Sequence, residues 1–174
     1  MEYKGNLPRL SEESYCGFVH VSFTATTLRR KKIFTQRKTV DPCIALLKEK
    51  SDEFNCECLV YAFMPDHVHL ILHGTDDSSN VLKSHNEWKG AAGSAVAEVL
   101  KREDVWQKQS YDHVLRKDEY EKGALQNMIK YTLQNPVRAG LAETWQEYPY
   151  CGSMIGPYDI RHPYWWDWFY GLRS

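Results

Sequence analysis

Two apolar segments separated by a single Pro-Asp pair place the strongest constraint on the fold. Residues 59–63 and 68–72 are rich in apolar side chains, and Pro65-Asp66 lies between them. Apolar runs of this length, bounded by turn-forming residues, predict two strands joined by a turn. Because side chains alternate between the faces of a strand, His67 and His69 share the face opposite to the apolar residues of the second segment.

The two histidines of this segment are candidate metal ligands. Residues two apart in a strand have Cα atoms about 6–7 Å apart, so both imidazoles can converge on one divalent ion. An apolar face behind and two imidazoles in front would hold an ion on a rigid sheet. The alternative is a pair of solvent-facing or hydrogen-bonded histidines, and His67 and His69 alone leave both interpretations open.

Composition sets the class of protein and its compartment. A chain of 174 residues with 43% hydrophobic residues is long enough for one globular domain. We expect a cytoplasmic protein without a membrane association, because no apolar run approaches the ~20 residues of a membrane span and residues 1–5 lack a signal-peptide pattern. Five cysteines without a CxxC pair indicate reduced thiols. The net charge of −1 argues against indiscriminate binding to polyanions but allows a local basic patch.

The other segments predict an α+β fold with the element order β-α-β-β-α-β. Residues 15–27 read as a strand with one apolar face, and residues 40–54 read as a helix that begins at an Asp41-Pro42 cap. A second helix is predicted over residues 81–101 and a last strand over residues 105–116. This order is typical of a ferredoxin-like (RRM-like) sandwich with these helices on one face of the sheet.

A third helix is predicted over residues 118–134, with a tyrosine on its flank. Its inward stripe has helical spacing and consists of Leu125, Met128, Ile129 and Thr132. Tyr131 falls roughly 120° from the centre of that stripe. Because Pro136 disfavours helical geometry for the preceding residue, we expect the helix to end at Asn135. The alternatives are that Tyr131 packs against the sheet and that Asn135 caps the helix.

Two motifs in this order resemble a known family. The first is FMPDHVHL at residues 63–70, and the second is YTLQNPVRAGL at residues 131–141. Together with Trp106-Gln107 and the stretch 111–116 between them, they resemble the REP-associated tyrosine transposases of the single-tyrosine HUH (IS200-like) transposase superfamily. The resemblance covers residues 15–145.

The resemblance implies a function and a role for each matching residue. It implies a transposase that cleaves and rejoins single-stranded DNA at hairpin repeats through a 5′-phosphotyrosine. Tyr131 matches the nucleophile, and His67, His69 and Asn135 match the ligands of a divalent metal, either Mg²⁺ or Mn²⁺. The chain would act as a monomer or a homodimer, since related enzymes place the tyrosine helix in cis or in trans.

Several basic and aromatic side chains are candidate DNA contacts. The basic candidates would meet backbone phosphates and are Arg29, Arg30, Lys31, Lys32, Lys83, Lys89, Arg116 and Arg138. Trp88 and Trp106 would stack on unpaired bases. The alternatives are a solvated loop for residues 29–32, core packing for each tryptophan, and capping of the preceding helix by Arg138.

We expect three segments along the chain. These are an N-terminal arm at residues 1–14, the transposase domain at residues 15–145 and an aromatic-rich C-terminal tail at residues 146–174. The tail would fold back over the sheet, dock on a partner chain or supply stacking surfaces for DNA.

Two functional alternatives remain open at this point. One is a host-adapted, non-cleaving DNA-binding protein of the same fold, and the other is an RRM-like RNA-binding module. A protein that only binds DNA needs neither Tyr131 nor Asn135 nor the histidine pair. An RRM requires aromatic residues on the central strands, where this chain has His67 and His69. These residues therefore favour the transposase.

Overall fold

The computed structural model describes residues 9–157 and 159–171, apart from the side chain of Tyr170. Residues 1–8 of the expected N-terminal arm lie outside the described residues, and a short 3-10 helix follows at Glu12–Tyr15. The helices and strands are β1 (His20–Thr26), α1 (Arg37–Glu53), β2 (Cys56–Met64), β3 (His67–Gly74), α2 (Val81–Leu100), β4 (Tyr111–Val114), α3 (Lys117–Glu121), α4 (Ala124–Arg138), β5 (Cys151–Gly152) and α5 (Trp165–Gly171). Two further 3-10 helices span Leu28–Arg30 and Trp145–Glu147.

Five antiparallel strands form one sheet in the order β4-β1-β3-β2-β5. β2 and β3 pair across the turn at Pro65-Asp66, with Met64 opposite His67 and Ala62 opposite His69. The two strands predicted around this turn are confirmed, and so is the α+β class. β1 pairs with the other edge of β3, so the strand that carries both histidines lies in the middle of the sheet.

One face of the sheet packs against α1 and α2. The apolar side chains of β1 and β3 that point to this face are completely buried and comprise Val21, Phe23, Ala25, Val68, Leu70 and Leu72. Trp88 of α2 is also completely buried, and its indole N–H donates to the carbonyl oxygen of Cys43 at 3.0 Å. Core packing, the alternative to base stacking, therefore accounts for Trp88.

The opposite face is covered by α4 and by the C-terminal tail. α4 contributes Leu125, Ile129 and Leu133 to this cluster, and α5 contributes Trp165 and Phe169. These side chains are buried against residues of β2 and β3, and each large apolar side chain removed from water adds about 1.5–3 kcal/mol. The tail also adds β5 beside β2. Of the locations considered for the tail, the fold shows the first, in which it folds back over the sheet.

The first helix begins earlier than its cap signal suggested. α1 starts at Arg37, and Pro42 lies inside it, so the predicted Asp41-Pro42 start is wrong. The upstream residues Thr39 and Val40 are buried, and the Thr39 hydroxyl donates to the carbonyl oxygen of Ile33 at 2.8 Å. This burial stabilises a helical turn that local sequence preference alone does not predict.

The third predicted helix is divided, and it continues past its proline. Gly123 separates α3 from α4 because it adopts a φ of 73°, a left-handed conformation that glycine tolerates without strain. α4 then contains Pro136, so the predicted end at Asn135 is wrong. The amide of Asn135 donates to the carbonyl oxygen of Thr132 at 3.3 Å. Pro136 has no N–H with which to reach that carbonyl, and the asparagine side chain takes over the role.

The last predicted strand is shorter than residues 105–116. Only Tyr111–Val114 forms a strand, paired with β1. Trp106 makes an isolated bridge with Thr27 and contacts Phe34 and Trp88 through its ring. The backbone from residue 107 to the strand is therefore a loop that leads from the end of β1 to the sheet edge.

A buried histidine on α2 predicts acid-sensitive stability. His85 is completely buried and stacks on Phe23, with ring centres 4.0 Å apart. Burial, supported by the positive charges of Lys89 and Arg9, lowers the pKa of His85 to about 3. In the unfolded chain His85 takes up a proton near pH 6.5, whereas in the folded chain it stays unprotonated at that pH. The free energy of unfolding is therefore expected to decrease as the pH falls from about 6.5 toward 3.

The test is chemical unfolding of His85→Phe between about pH 7 and 4. The variant is expected to show a weaker pH dependence than the wild type, because one titrating group has been removed from the core. His162→Gln, which changes an exposed histidine in the tail, is the matched control. Equal pH dependence of wild type and His85→Phe would contradict the assignment.

Candidate active site

Backbone hydrogen bonds fix the turn from which the histidine strand departs. The carbonyl oxygen of Asp66 accepts from both the backbone N–H and the hydroxyl of Thr27, each at 2.9 Å. The carbonyl oxygen of Pro65 accepts from the N–H groups of Ile33 (2.8 Å) and Phe34 (3.1 Å). The turn is therefore tied to the segment that follows β1, and the start of β3 has a defined position.

Both imidazoles of the histidine pair are directed at each other. The Nε2 atoms of His67 and His69 are 3.1 Å apart. On the far side of each ring, Nδ1 of His67 donates to the carboxylate of Asp66 at 2.6 Å, and Nδ1 of His69 lies 3.0 Å from the hydroxyl of Thr24. A hydroxyl both donates and accepts, so Thr24 suits either tautomer of His69, whereas the carboxylate keeps a proton on Nδ1 of His67. Asp66 in the turn thus holds the ring of His67, and Thr24 on β1 holds the ring of His69.

The electrostatic environment keeps His69 neutral. Burial, followed by the electrostatic repulsion from His67 and Arg138, lowers the pKa of His69 to about 3. For Asp66, burial raises the pKa, but the hydrogen bond and charge of His67 and the charge of Arg30 outweigh it, so the pKa is lowered overall. Metal ligation requires a neutral imidazole, and the lowered pKa of His69 provides one.

The pair fits a divalent metal with open coordination positions. Two nitrogen atoms 3.1 Å apart can each lie about 2.1 Å from one ion at an angle of about 95°, close to octahedral geometry. The orienting contacts on both Nδ1 atoms are those that ligating histidines usually make. Within the described parts of the chain, no group of three or more His, Cys, Asp or Glu side chains could hold a metal. Further ligands would have to come from other oxygen donors.

Tyr131 of α4 lies beside the histidine pair in the same chain. Its ring centre is 6.4 Å from that of His69, and the two rings are nearly perpendicular. The guanidinium carbon of Arg138 lies 3.9 Å from the centre of the tyrosine ring on the same helix. Tyr131 is 53% exposed, so it is a surface side chain held between a histidine and an arginine and is not part of the core.

Asn135 is close to this group, but its polar atoms have partners. It is buried, and its amide donates to the carbonyl oxygens of Tyr131 (3.1 Å) and Thr132 (3.3 Å). Its Oδ1 accepts from the guanidinium of Arg138 at 3.0 Å. An amide oxygen has two lone pairs, so one remains for a metal or a DNA group.

The predicted DNA contacts fall into two groups. Arg30 reaches Asp66 at 3.4 Å, Arg138 lies on Tyr131, and Arg29, Lys31 and Lys32 are exposed in the same loop as Arg30. The other three are Lys83, Lys89 and Arg116, whose contacts are with other parts of the chain.

Two of these three have local partners. Lys89 donates to the carbonyl oxygens of Gln107 (2.8 Å) and Lys108 (3.3 Å), and burial, followed by the charge of Arg9, lowers the pKa of Lys89 to about 8. Lys83 lies over the ring of Phe54. Arg116 precedes α3 and is exposed.

Sequence reasoning missed the two residues that orient the histidines. The sequence alone indicates only a turn at Asp66, and it indicates for Thr24 only a place on the polar face of the strand predicted over residues 15–27. Thr24 lies directly opposite His69 in the pairing of β1 with β3, a relationship that depends on strand register. The signal that was available for Asp66 was its position next to His67.

Comparison with known proteins identifies the family. The family model described as "Transposase IS200 like" matches residues 18–135, so the chain belongs to the IS200-like transposase family. None of the curated proteins matches the chain. A solved structure of a REP-associated tyrosine transposase bound to a REP hairpin is similar in fold, with a TM-score of 0.60 and 18% sequence identity over 87% of this chain and 81% of that chain. A candidate transposase from Deinococcus radiodurans R1 aligns with a TM-score of 0.49 and 16% identity over 75% of this chain and 98% of that one.

The helices were also compared with the requirements of a membrane span. None of those in the described residues combines the length and the apolar character that crossing a bilayer requires.

Proposed function

We propose that this chain is a metal-dependent transposase that cleaves and rejoins single-stranded DNA at hairpin repeats through a 5′-phosphotyrosine on Tyr131. The observation that carries the proposal is the geometry of three side chains: the Nε2 atoms of His67 and His69 are 3.1 Å apart, and the Tyr131 ring lies 6.4 Å from the ring of His69. Membership of the IS200-like transposase family supports it. The hairpin bound by the structural neighbour supports this class of substrate.

We also propose an organisation for the chain. The strand order β4-β1-β3-β2 and the alternation of helices and strands up to β4 support a ferredoxin-like sandwich. Residues 15–145 would form the transposase domain, with α4 as the helix that presents the nucleophile. Residues 146–174 would support that helix, because Trp165 and Phe169 pack in the same cluster as Ile129.

In the proposed reaction the phenol oxygen of Tyr131 attacks the scissile phosphorus in line. A bond forms between that oxygen and phosphorus while the bond from phosphorus to the 3′ oxygen breaks. The phenol proton leaves Tyr131, and the departing 3′ oxygen becomes a hydroxyl group. Attack of a 3′-hydroxyl on the phosphotyrosine reverses the exchange, so the strand is rejoined without an external energy source.

His67 and His69 would hold the divalent ion, Mg²⁺ or Mn²⁺, and Asn135 Oδ1 would supply a third ligand through its remaining lone pair. When bound, such an ion polarises the scissile phosphate as a Lewis acid and stabilises the charge on the leaving oxygen. Asp66 and Thr24 would hold the two imidazoles in position. Arg138 would keep the tyrosine ring beside His69, and it is a further cation for the phosphate.

The fold gives no support to an RRM-like RNA-binding module. Such a module exposes the face of its sheet so that bases can stack on it. Here that face is covered in part by Leu125 and Ile129 of α4 and by Trp165 of α5. His67 and His69 occupy the positions at which stacking aromatic residues would be needed.

The proposed function is tested by a search for the covalent intermediate. Labelled single-stranded hairpin DNA is incubated with the protein and Mg²⁺ or Mn²⁺, then separated under denaturing conditions. The proposal predicts a protein–DNA adduct that depends on the metal and releases a free 3′-hydroxyl. DNA binding without any adduct, over a library of hairpins and flanking sequences, would favour the non-cleaving alternative.

Removal of the carboxylate that orients His67 is expected to weaken metal binding. Asp66→Ala leaves Nδ1 of His67 without its partner, and the loss of such an orienting group typically costs about 10- to 100-fold in metal affinity. Mn²⁺ titration by calorimetry measures the effect. Asp77→Ala, an exposed aspartate in the loop after β3, is the matched control. An Asp66→Ala protein with wild-type affinity would show that the carboxylate does not support the site.

A further inference from the structure

A basic groove lies beside the loop that is hydrogen-bonded to the turn at Pro65-Asp66. It has a volume of about 520 Å³ and lies between the loop after β1, the start of α1 and the end of α2. Four of its lining side chains are cationic, namely Lys31, Lys32, Lys38 and Arg102. No acidic side chain among the residues that the structure describes lines it, although Asp41, Glu103 and Asp104 are close in sequence. Such a groove attracts polyanions despite the net charge of −1 of the whole chain.

The groove is rigidly connected to the turn that precedes the histidines. The hydroxyl of Thr27 lies within hydrogen-bond distance of the carbonyl oxygens of Lys31 (2.8 Å) and Asp66 (2.9 Å), which share its one proton. The N–H of Ile33, which lines the groove, donates to the carbonyl oxygen of Pro65 at 2.8 Å. The basic loop and the turn at Pro65-Asp66 therefore form one hydrogen-bonded unit.

Two strained residues lead the chain into this loop. Arg29 and Arg30 have φ angles of 56° and 50°, which lie in the left-handed region that non-glycine residues rarely adopt. Arg30 reaches from this strained turn to the carboxylate of Asp66 at 3.4 Å. Arg30 therefore links the basic loop by an ion pair to the turn that precedes the histidine pair.

The start of α1 adds partial positive charge to the same groove. Gln36 and Lys38 line it, and Gln36 occupies the N-cap position without a side-chain hydrogen bond to the helix. The N–H groups of the first helical turn and the helix dipole favour an anion here. They act together with the four cationic side chains and do not constitute the site alone.

We propose that this groove binds phosphodiester groups of the DNA that enters the active site, with Lys38 and Arg102 as contacts in addition to the loop lysines. The inference rests on the proposed function, because it takes DNA as the substrate. It extends that function by assigning a path from the histidine pair past Arg30 to the start of α1. Lys38 comes from α1 and Arg102 from the end of α2, so a motif search centred on the basic run does not reveal them.

The test is the salt dependence of DNA binding by the double variant Lys38→Gln/Arg102→Gln. Each phosphate contact that is lost reduces the slope of log affinity against log salt by about 0.7 for single strands and about 0.9 for duplex DNA. Between about 50 and 200 mM salt, the wild type should lose about sevenfold more affinity than the variant if both lost contacts are to single-stranded DNA, and about twelvefold more if both are to duplex DNA. Fluorescence anisotropy with a labelled hairpin that carries a single-stranded flank measures both slopes. Separate stem-only and flank-only DNAs then identify which part occupies the groove.

The matched control removes two cations from the opposite end of α1. Lys48 and Lys50 are near the end of that helix, and Lys48 is about 15 Å from Lys38 by helix rise. Lys48→Gln/Lys50→Gln changes the net charge equally and should retain the wild-type slope. Equal slopes for both double variants would overturn the groove assignment.

A chemical change in the DNA provides an independent measurement. Neutral methylphosphonates at the contacted phosphates should weaken wild-type binding but leave binding by Lys38→Gln/Arg102→Gln unchanged. Failure of the proposed function is distinguishable, because the wild type would then bind DNA without forming a covalent adduct. If the wild type forms the adduct and the groove variant keeps the wild-type slope, only the groove inference fails. The variant should still form the adduct at saturating DNA, since neither side chain belongs to the catalytic group.

Discussion

Tyr131→Phe is expected to abolish the covalent protein–DNA adduct and to leave DNA binding within about twofold of the wild type. Phenylalanine retains the ring that contacts His69 and Arg138, so the local packing is preserved. It lacks the oxygen that would form the bond to phosphorus, and loss of a nucleophile typically reduces turnover by several orders of magnitude. Denaturing electrophoresis of labelled hairpin DNA measures the adduct, and anisotropy measures binding.

Tyr120→Phe is the matched control for this experiment. Tyr120 is another partly exposed tyrosine, and it lies on α3, where its ring faces His20. The control variant should form adduct at the wild-type level. Adduct of undiminished yield from Tyr131→Phe would identify a different nucleophile, and loss of adduct only in Tyr120→Phe would transfer the role to that residue.

Replacement of either histidine of the pair is expected to remove metal-dependent cleavage. His67→Ala and His69→Ala each leave one imidazole at a site where the two Nε2 atoms are 3.1 Å apart. Loss of an orienting group alone costs about 10- to 100-fold in metal affinity, so loss of a ligand should cost at least as much. Calorimetric titration with Mn²⁺ measures the affinity, and the initial rate of adduct formation measures the consequence.

The two variants are expected to differ in their effect on the stability of the fold, so they are informative when measured together. His69 is held by Thr24, and its burial is the main reason that its pKa is lowered, whereas the His67 side chain is 22% exposed. His67→Ala should therefore keep the wild-type melting temperature, so a loss of activity in it cannot be attributed to unfolding. His113→Ala, on β4 next to Glu119, is the control histidine. Metal titrations that do not distinguish His67→Ala from the wild type would exclude the pair as a metal site.

The parts of the site that follow from alternation and local order could be predicted from the sequence. The face of β3 that carries His67 and His69 follows from a period of two residues, and the apolar residues on its other face reinforce the assignment. The flanking position of Tyr131 on its helix follows from a period of 3.6 residues, and its 53% exposure agrees with that position. These inferences required no knowledge of contacts between distant segments.

The parts that depend on long-range or compensating contacts could not be predicted in this way. The end of α4 was predicted wrongly because the local rule for Pro136 ignores the hydrogen bond that the Asn135 amide makes in its place. The contact of Thr24 with His69 depends on strand register over 45 positions in the chain. Lys38 and Arg102 share a groove only because two helices pack side by side.

The register of β3 also determines that both histidines stay on the face of the sheet that α4 covers. Val68 is opposite Ala25 in β1, and it lies between the two histidines in the sequence. A register shift of one residue would point the histidine side chains toward the apolar core and the aliphatic side chains toward α4. Insertions or deletions within this hairpin are therefore expected to destabilise the fold and not only to inactivate the site. Variation in a lineage of such chains should thus accumulate as substitutions at fixed length between residues 59 and 72.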